Sequence, residues 1–247
     1  MFYAEVFMQI LVFQHLDVEH PGVFRDFWKK AGHDVHTVHF NRDDIIPPLE
    51  DFDLLVVLGG PMDVWETEQN PWLVREMSAI YHWVRNLEKP YFGICLGHQL
   101  LAQALGGHVG LMKKPEVGLA TIHVTTEGQQ DPLFANAPHE MEIFQWHGAE
   151  VQTLPEGAVV LAANAACPVQ AMRVGPHAWG LQYHVEMTDT TVAEWSAIPE
   201  YKASMEKALG AERAATLETT LAPLLPGFNA MAHALNENLF TCMTPHS

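Results

Sequence analysis

The chain has 247 residues, 48% of them apolar, with 13 basic against 30 acidic side chains and a formal charge of −17. At roughly 150 residues per domain this is one large domain or two small ones, with enough apolar content to bury a core and argue against disorder. The acidic balance argues against nucleic acid and membrane as partners, since both need clustered Lys and Arg to meet phosphate, and no apolar run approaches the ~20 residues that span a bilayer.

The N-terminal Met1-Phe2-Tyr3-Ala4-Glu5 lacks a basic region and a small-residue cleavage site, so no signal peptide is read there; the first seven residues read as an upstream start or an extension. Met8 to Phe13 is a short apolar run of buried-strand length. Val23, Phe24, Phe27 and Trp28 fall at helical spacing and predict a helix over 21–31 that Gly32 closes. Strands are expected over 35–40 and 54–58, the second running into Gly59-Gly60-Pro61. Pro71 opens a helix that continues to Asn86, followed by a strand over 90–94 and a helix over 97–105 closed by Gly106-Gly107. This β-α-β alternation implies a parallel sheet with helices on both faces.

The second half changes character. Shorter strands are expected over 119–125, 140–146, 158–162, 170–174 and 179–185, several of them antiparallel, with Val174-Gly175-Pro176-His177 as a hairpin turn. From Thr188 to about Phe240 the pattern is helical, interrupted near Pro223 and Pro226. With no repeat and no linker, the chain reads as one domain over 1–247 with 188–247 as a C-terminal helical extension.

Three cysteines occur, Cys95, Cys167 and Cys242, without C-x-x-C spacing, which supports neither a disulfide framework nor a structural zinc site. A reducing, cytoplasmic location is the corresponding expectation. Fifteen histidines invite a metal reading, yet His15, His20, His33, His36 and His39 look scattered and no ligand spacing is present, so no metal and no cofactor are expected. Cys167 reads as a core thiol beside Pro168, and Cys242 as part of a fraying tail.

Gly93-Ile94-Cys95-Leu96-Gly97 sits where a strand passes into a helix, the arrangement of a nucleophile elbow. The sharp turn leaves no room for side chains on its flanks, hence the glycines. Cys95 then stands at the carboxyl end of a parallel strand, where open α/β sheets bind ligands, and near a helix N-terminus whose partial positive charge favours the thiolate. The N–H of Leu96 is positioned to stabilise an oxyanion. A cysteine nucleophile needs a base and the base an orienting group; His184 and Glu186, two apart on an expected strand, share a face and supply both. Gly59-Gly60-Pro61-Met62 follows a buried strand at the same end of the sheet and can present backbone N–H groups to a developing negative charge. Asp63, Glu66 and Glu68 beyond it read as a solvated acidic loop.

Together these segments resemble the class I, triad-type glutamine amidotransferases, most closely the glutaminase domain of GMP synthase and its stand-alone relatives. The matching stretches are LGGPMDVWE (58–66), FGICLGHQLLAQALGG (92–107), QWHG (145–148) and GLQYHVEM (180–187). The resemblance implies a flavodoxin-like parallel sheet flanked by helices, with an antiparallel extension and C-terminal helices. It implies that Cys95 attacks the side-chain amide of glutamine, with His184 as base and then acid and Glu186 orienting it. Ammonia would leave, and a γ-glutamyl thioester would hydrolyse to glutamate. Gly60 and Leu96 match the oxyanion-hole positions, Gln99 a substrate-holding position, and Gln145, Trp146, His147 and Gly148 the loop that grips the substrate's α-amino and α-carboxyl end.

Two departures accompany the resemblance. No S-G-G-x-D-S phosphate loop of an ATP-pyrophosphatase domain occurs in these 247 residues, so this chain is not expected to aminate a nucleotide unaided. Residues 188–240 extend beyond the usual end of the glutaminase domain, and their Trp195, Tyr201, Met205, Leu209 and Leu217 read as packing residues. Several readings stay open: ammonia donation to a separate synthetase subunit, hydrolysis of γ-glutamyl peptides by the lone chain, cleavage of ordinary peptide bonds, and a non-catalytic regulatory member of the fold.

Overall fold

Strand β1 (Gln9–Gln14) turns alternate side chains to opposite faces of its sheet, sending Ile10 and Val12 into one core and Leu11 and Phe13 into another. β3 (Leu54–Val57) does the same with Leu54 and Val56 against Leu55 and Val57, all fully buried. A strand apolar on both sides must be covered on both sides. Helices α1 (Phe24–Ala31) and α8 (Leu225–Met243) bring Phe24, Trp28, Leu235 and Leu239 to the first core, while α2 (Trp72–Tyr81) and α3 (Leu96–Ala104) bring Leu73, Ile80, Leu100 and Leu101 to the second. The computed structural model describes residues 7–243, so the reading of Met1–Glu5 lies outside the described residues.

The remaining strands are β2 (Asp34–His39), β4 (Tyr91–Ile94), β5 (His108–Val124), β6 (Glu140–Thr153), β7 (Ala158–Ala163), β8 (Ala171–Val174) and β9 (Ala178–Leu181). They form one nine-stranded sheet in the order β2-β1-β3-β4-β9-β8-β7-β5-β6. β2, β1, β3, β4 and β9 pair in parallel, and β9 changes the sense of the sheet by pairing antiparallel with β8 across the expected hairpin turn. β5, β6, β7 and β8 continue antiparallel, with the short helix α4 (Thr126–Gln130) after β5. The fold class is therefore α/β with a parallel core and an antiparallel extension, as the residue pattern implied.

Several boundaries differ from expectation. β5 and β6 form a far longer ribbon than the strands expected over 119–125 and 140–146. The added part of β5 carries exposed Lys113 and Lys114 and a register shift between Leu111 and Glu116, which together break the apolar alternation a sequence reading relies on. The helix over 71–86 is α-helical through Tyr81 and closes as a π-helical turn over His82–Asn86. The strand expected to reach Val185 stops at Leu181. Cys242 lies in α8, half-buried against the first core, and not in a frayed tail.

The C-terminal extension continues through α5 (Thr191–Ser196), α6 (Pro199–Leu209) and α7 (Ala211–Leu221), with a 3-10 turn over Ala222–Leu224 before α8. These helices build a third apolar cluster in which Trp195, Tyr201, Met205 and Leu217 pack on Phe144 and Trp146 of β6. Among the described residues no helix is long and apolar enough to cross a membrane.

Candidate active site

Between β4 and α3 the chain reverses in a single residue. Cys95 holds φ 52° and ψ −103°, a backbone conformation that costs a non-glycine residue roughly 1–3 kcal/mol and persists only where its surroundings impose it. Those surroundings are the Cys95 N–H donating to Leu181 O at 2.8 Å and the Gly97 N–H donating to Leu58 O at 3.1 Å. A Cβ on Gly97 would lie 2.1 Å from the carbonyl oxygen of Val57, and one on Gly93 2.6 Å from the carbonyl carbon of Gly97, so any side chain there would push the elbow apart. Cys95 is 7% exposed, at the N-terminus of α3.

His184 and Glu186 lie beyond the end of β9, so the shared strand face expected for them is absent. A single bridge does that work: the His184 N–H donates to Phe144 O at 2.9 Å. His184 Nδ1 lies 2.6 Å from Glu186 Oε1, and because a carboxylate only accepts, Nδ1 carries a proton and leaves Nε2 for proton transfer. Glu186 Oε2 accepts the Val185 N–H at 2.9 Å, and its backbone carbonyl accepts the Val23 N–H at 2.9 Å, so the orienting carboxylate is itself anchored to the start of α1. Burial disfavours a charged His184, but Glu186 and the Cys95 sulfur within hydrogen-bonding reach outweigh it and hold the imidazole well above its ordinary 6.5. Trp195 of the extension meets the His184 ring edge-on at 4.7 Å.

The other residues named from the sequence fall around this pair. A Cβ on Gly60 would sit 2.9 Å from Leu96 Cδ2, so the glycine loop and the first residue of α3 adjoin. Gln145, Trp146, His147 and Gly148 lie inside β6 and not on a loop. The Trp146 carbonyl lies 3.8 Å from Cys95 Sγ, while the Gln145 side chain turns away to donate to Gln170 Oε1 at 2.8 Å. Gln99 Nε2 donates to Ala149 O and to Gln182 Oε1, and Gln182 Nε2 in turn approaches Cys95 Sγ at 3.7 Å. Asp63 of the acidic loop is half-buried, and burial with neighbouring Glu66 pushes its carboxyl up to about 6.

Three side chains beside the site carried no chemical signal in the sequence. Glu19, 5% exposed, accepts the Tyr201 hydroxyl on Oε1, while a Cβ on Gly59 would lie 2.6 Å from its Oε2 and 3.5 Å from His184 Cε1. Burial pushes the Glu19 carboxyl up, against the pull of His184 and Tyr201. Tyr201 and Trp195, read as packing residues, do pack, and also cover the site. Glu19 follows a parallel strand at the sheet end that holds Cys95, which is the one positional cue that points to it.

A second trio has the same composition. Glu116, His147 and Cys167 bring their potential ligand atoms within 4.8 Å of one another, a set whose chemistry fits a Cys-His-Glu triad or a cation. Its setting differs. Burial pushes the Cys167 thiol up to about 12, and Sγ donates to Val169 O. His147 Nδ1 donates to Ala149 O at 2.9 Å, and Nε2 lies 3.2 Å from Glu116 Oε2. Asn164 and Gln170 donate to the two Glu116 oxygens at 2.8 Å. Cys167 belongs to the turn between β7 and β8, with no strained elbow and no helix N-terminus.

Known proteins resemble this chain in sequence and in fold. Residues 25–194 match the family model described as Glutamine amidotransferase class-I. The chain is 29% identical over 184 residues to the glutamine amidotransferase-like protein YfeJ of Salmonella typhimurium, covering 73% of this chain and 77% of that protein. It is 34% identical over 154 residues to one of the subunits of a glutamine-hydrolyzing GMP synthase from Saccharolobus solfataricus, covering 60% of this chain and 77% of that one. The crystal structure of a glutamine amidotransferase from Thermotoga maritima superposes with a TM-score of 0.83 at 27% identity, covering 94% of this chain and 97% of the other.

Proposed function

The chain belongs to the class-I glutamine amidotransferase family, and on that premise we propose that it hydrolyses the side-chain amide of glutamine, or of a close γ-glutamyl amide, through Cys95, His184 and Glu186. The observation that carries this reading is the strained Cys95 at the head of α3 with His184 in hydrogen-bonding reach and Glu186 fixing the imidazole tautomer. In the first half-reaction Cys95 Sγ, its proton already held on His184 Nε2, bonds to the amide carbon. The carbonyl oxygen becomes an oxyanion between the N–H groups of Gly60 and Leu96, donors of a kind worth roughly 10²–10³ in rate each. The tetrahedral adduct then breaks its C–N bond as His184 returns the proton to the leaving nitrogen, giving ammonia and a γ-glutamyl thioester on Cys95. In the second half-reaction water attacks the thioester carbon, His184 takes its proton, and the C–S bond breaks to release glutamate.

In this reading the buried Gln99 holds substrate and the β6 segment Gln145–Gly148 grips its α end, which the Trp146 carbonyl near Cys95 Sγ supports. The likeness to one component of a multi-subunit, glutamine-hydrolyzing GMP synthase supports an ammonia-accepting synthetase partner. The free thiols suit a reducing, cytoplasmic setting. Cys95 is chosen over Cys167 on physical grounds: a thiol pushed up to about 12 is protonated at neutral pH and a poor nucleophile.

The test is glutamate release from glutamine and from a panel of γ-glutamyl amides, with hydroxylamine added to intercept the acyl-enzyme. Release of glutamate together with γ-glutamyl hydroxamate is the expected result. Glutamate without hydroxamate would overturn the thioester route, and absence of turnover on every amide would overturn the hydrolytic reading.

A further inference from the structure

His15, read as one of several scattered histidines, is fully buried just past the end of β1, and so is Glu76 on α2. The His15 ring stacks on Phe40 at 5.8 Å and on Trp72 at 5.3 Å, so its plane is set by aromatic neighbours. Its two nitrogens meet two acceptors: Nδ1 lies 2.7 Å from the Gly59 carbonyl oxygen, and Nε2 lies 2.9 Å from Glu76 Oε1. Neither a peptide carbonyl nor a carboxylate donates, so both ring nitrogens carry protons. Burial opposes that charge, but Glu76 outweighs it and holds His15 above its ordinary 6.5.

A buried ion pair costs several kcal/mol of desolvation per ion, more than one neutral hydrogen bond to a carbonyl returns. The geometry points to what the pair achieves. The Gly59–Gly60 peptide is planar and trans, so its C=O and its N–H point in opposite directions. Two successive glycines leave the orientation of that peptide almost undecided by local sterics. Holding the carbonyl on His15 turns the Gly60 N–H to the other side, and polarises it as a donor. Gly59 adjoins His184 and Gly60 adjoins Leu96, the residue after the nucleophile.

We propose that His15 and Glu76 are a positioning pair that fixes the Gly59–Gly60 peptide with its N–H toward the substrate oxyanion. This rests on the hydrolytic reading above. Neither residue touches substrate; both act through the peptide.

The experiment compares two variants of the full chain that differ only in reach, His15→Asn/Glu76→Gln and His15→Ser/Glu76→Gln. Asparagine places an amide N–H near the position of Nδ1, and serine is too short. A third variant, His15→Leu/Glu76→Leu, fills the volume without leaving a charge unpaired. For each, kcat and KM for amide hydrolysis are measured beside the rate at which iodoacetamide alkylates Cys95, a displacement that builds no oxyanion. The serine and leucine variants are expected to lose ~10²–10³ in kcat, the loss typical of one oxyanion donor, with KM and alkylation within about threefold of wild type. The asparagine variant is expected to recover at least about tenfold of that kcat. Equal kcat in the asparagine and serine variants would overturn the proposal, as would a fall in alkylation that parallels the fall in kcat. Wild-type silence on all amides would sink the hydrolytic reading and this one with it; an active wild type with unaffected variants would sink this one alone.

Discussion

Two regions of this molecule hold a cysteine, a histidine and a glutamate together, and only their settings tell them apart. Cys95 sits on a strained turn at a helix N-terminus, and Glu186 binds the histidine on Nδ1, leaving Nε2 toward the sulfur. Cys167 sits in an ordinary turn, donating to Val169 O, and its histidine binds a backbone carbonyl through Nδ1 while Nε2 turns to Glu116. In the first trio the carboxylate lies behind the imidazole and pushes its basicity toward the thiol. In the second the carboxylate occupies the place where a thiol proton would be taken. Composition is shared; the order in which the three groups face one another is not.

The largest effect that sharpens this contrast is removal of each sulfur. Cys95→Ala is expected to lower turnover by at least ~10⁴-fold, whereas Cys167→Ala should leave turnover within about threefold of wild type, at a cost of about 1 kcal/mol in a urea melt. A large loss with Cys167→Ala would reverse the assignment. Next, Glu186→Gln is expected to cost ~10²–10⁴ in kcat, because the carboxamide no longer stabilises an imidazolium, with KM little changed. Alkylation kinetics read by peptide mapping come third. Iodoacetamide should label Cys95 in the native protein and reach Cys167 only on unfolding, since burial holds that thiol up near about 12. The opposite order of labelling would break the comparison.

The smallest effect lies in acid. Burial raises the Glu116 carboxyl, but His147 and Asn164 outweigh it and hold the group below its ordinary 4.5. A depressed carboxyl stabilises the fold fully above its unfolded value, and that stabilisation is lost as pH falls through the folded value. Glu116→Gln should therefore lower stability at neutral pH by about 1 kcal/mol and flatten the loss expected below pH 4.5 in wild type, measured by denaturant midpoints. Identical acid profiles for the two proteins would show that Glu116 is not held by these donors.

Much of the fold was legible because its signals are local. The short, continuously apolar runs of β1 and β3, the helical spacing of Phe24 and Trp28, and Gly32 closing α1 in a left-handed conformation each depend on a few neighbouring residues. The elbow was legible for the same reason, since Gly93 and Gly97 mark a backbone that tolerates no side chain. The β5–β6 ribbon was not, because a register shift and exposed lysines hide a strand that long-range pairing maintains. His184 and Glu186 were expected to meet through a shared strand face, and they meet without one, closed by a hydrogen bond to Phe144.

What the residues determined by themselves is the alternation of the parallel sheet, the strained turn at Cys95 and the supply of an acid–base pair near Gln182. Steric limits and side-chain periodicity act within a turn or a strand, so they can be read in order along the chain. What only the tertiary structure decided is which histidines matter and how. His15 became the holder of a peptide carbonyl because α2 delivered Glu76 and Trp72 to it, and His147 was drawn to Glu116 because β5 pairs beside it. Trp195 and Tyr201 reached the site because the C-terminal helices fold back over β6, and Tyr201 meets there the Glu19 that follows β1. Burial and hydrogen-bond partners of a titratable group depend on elements distant in sequence, and those meet only when the chain is folded.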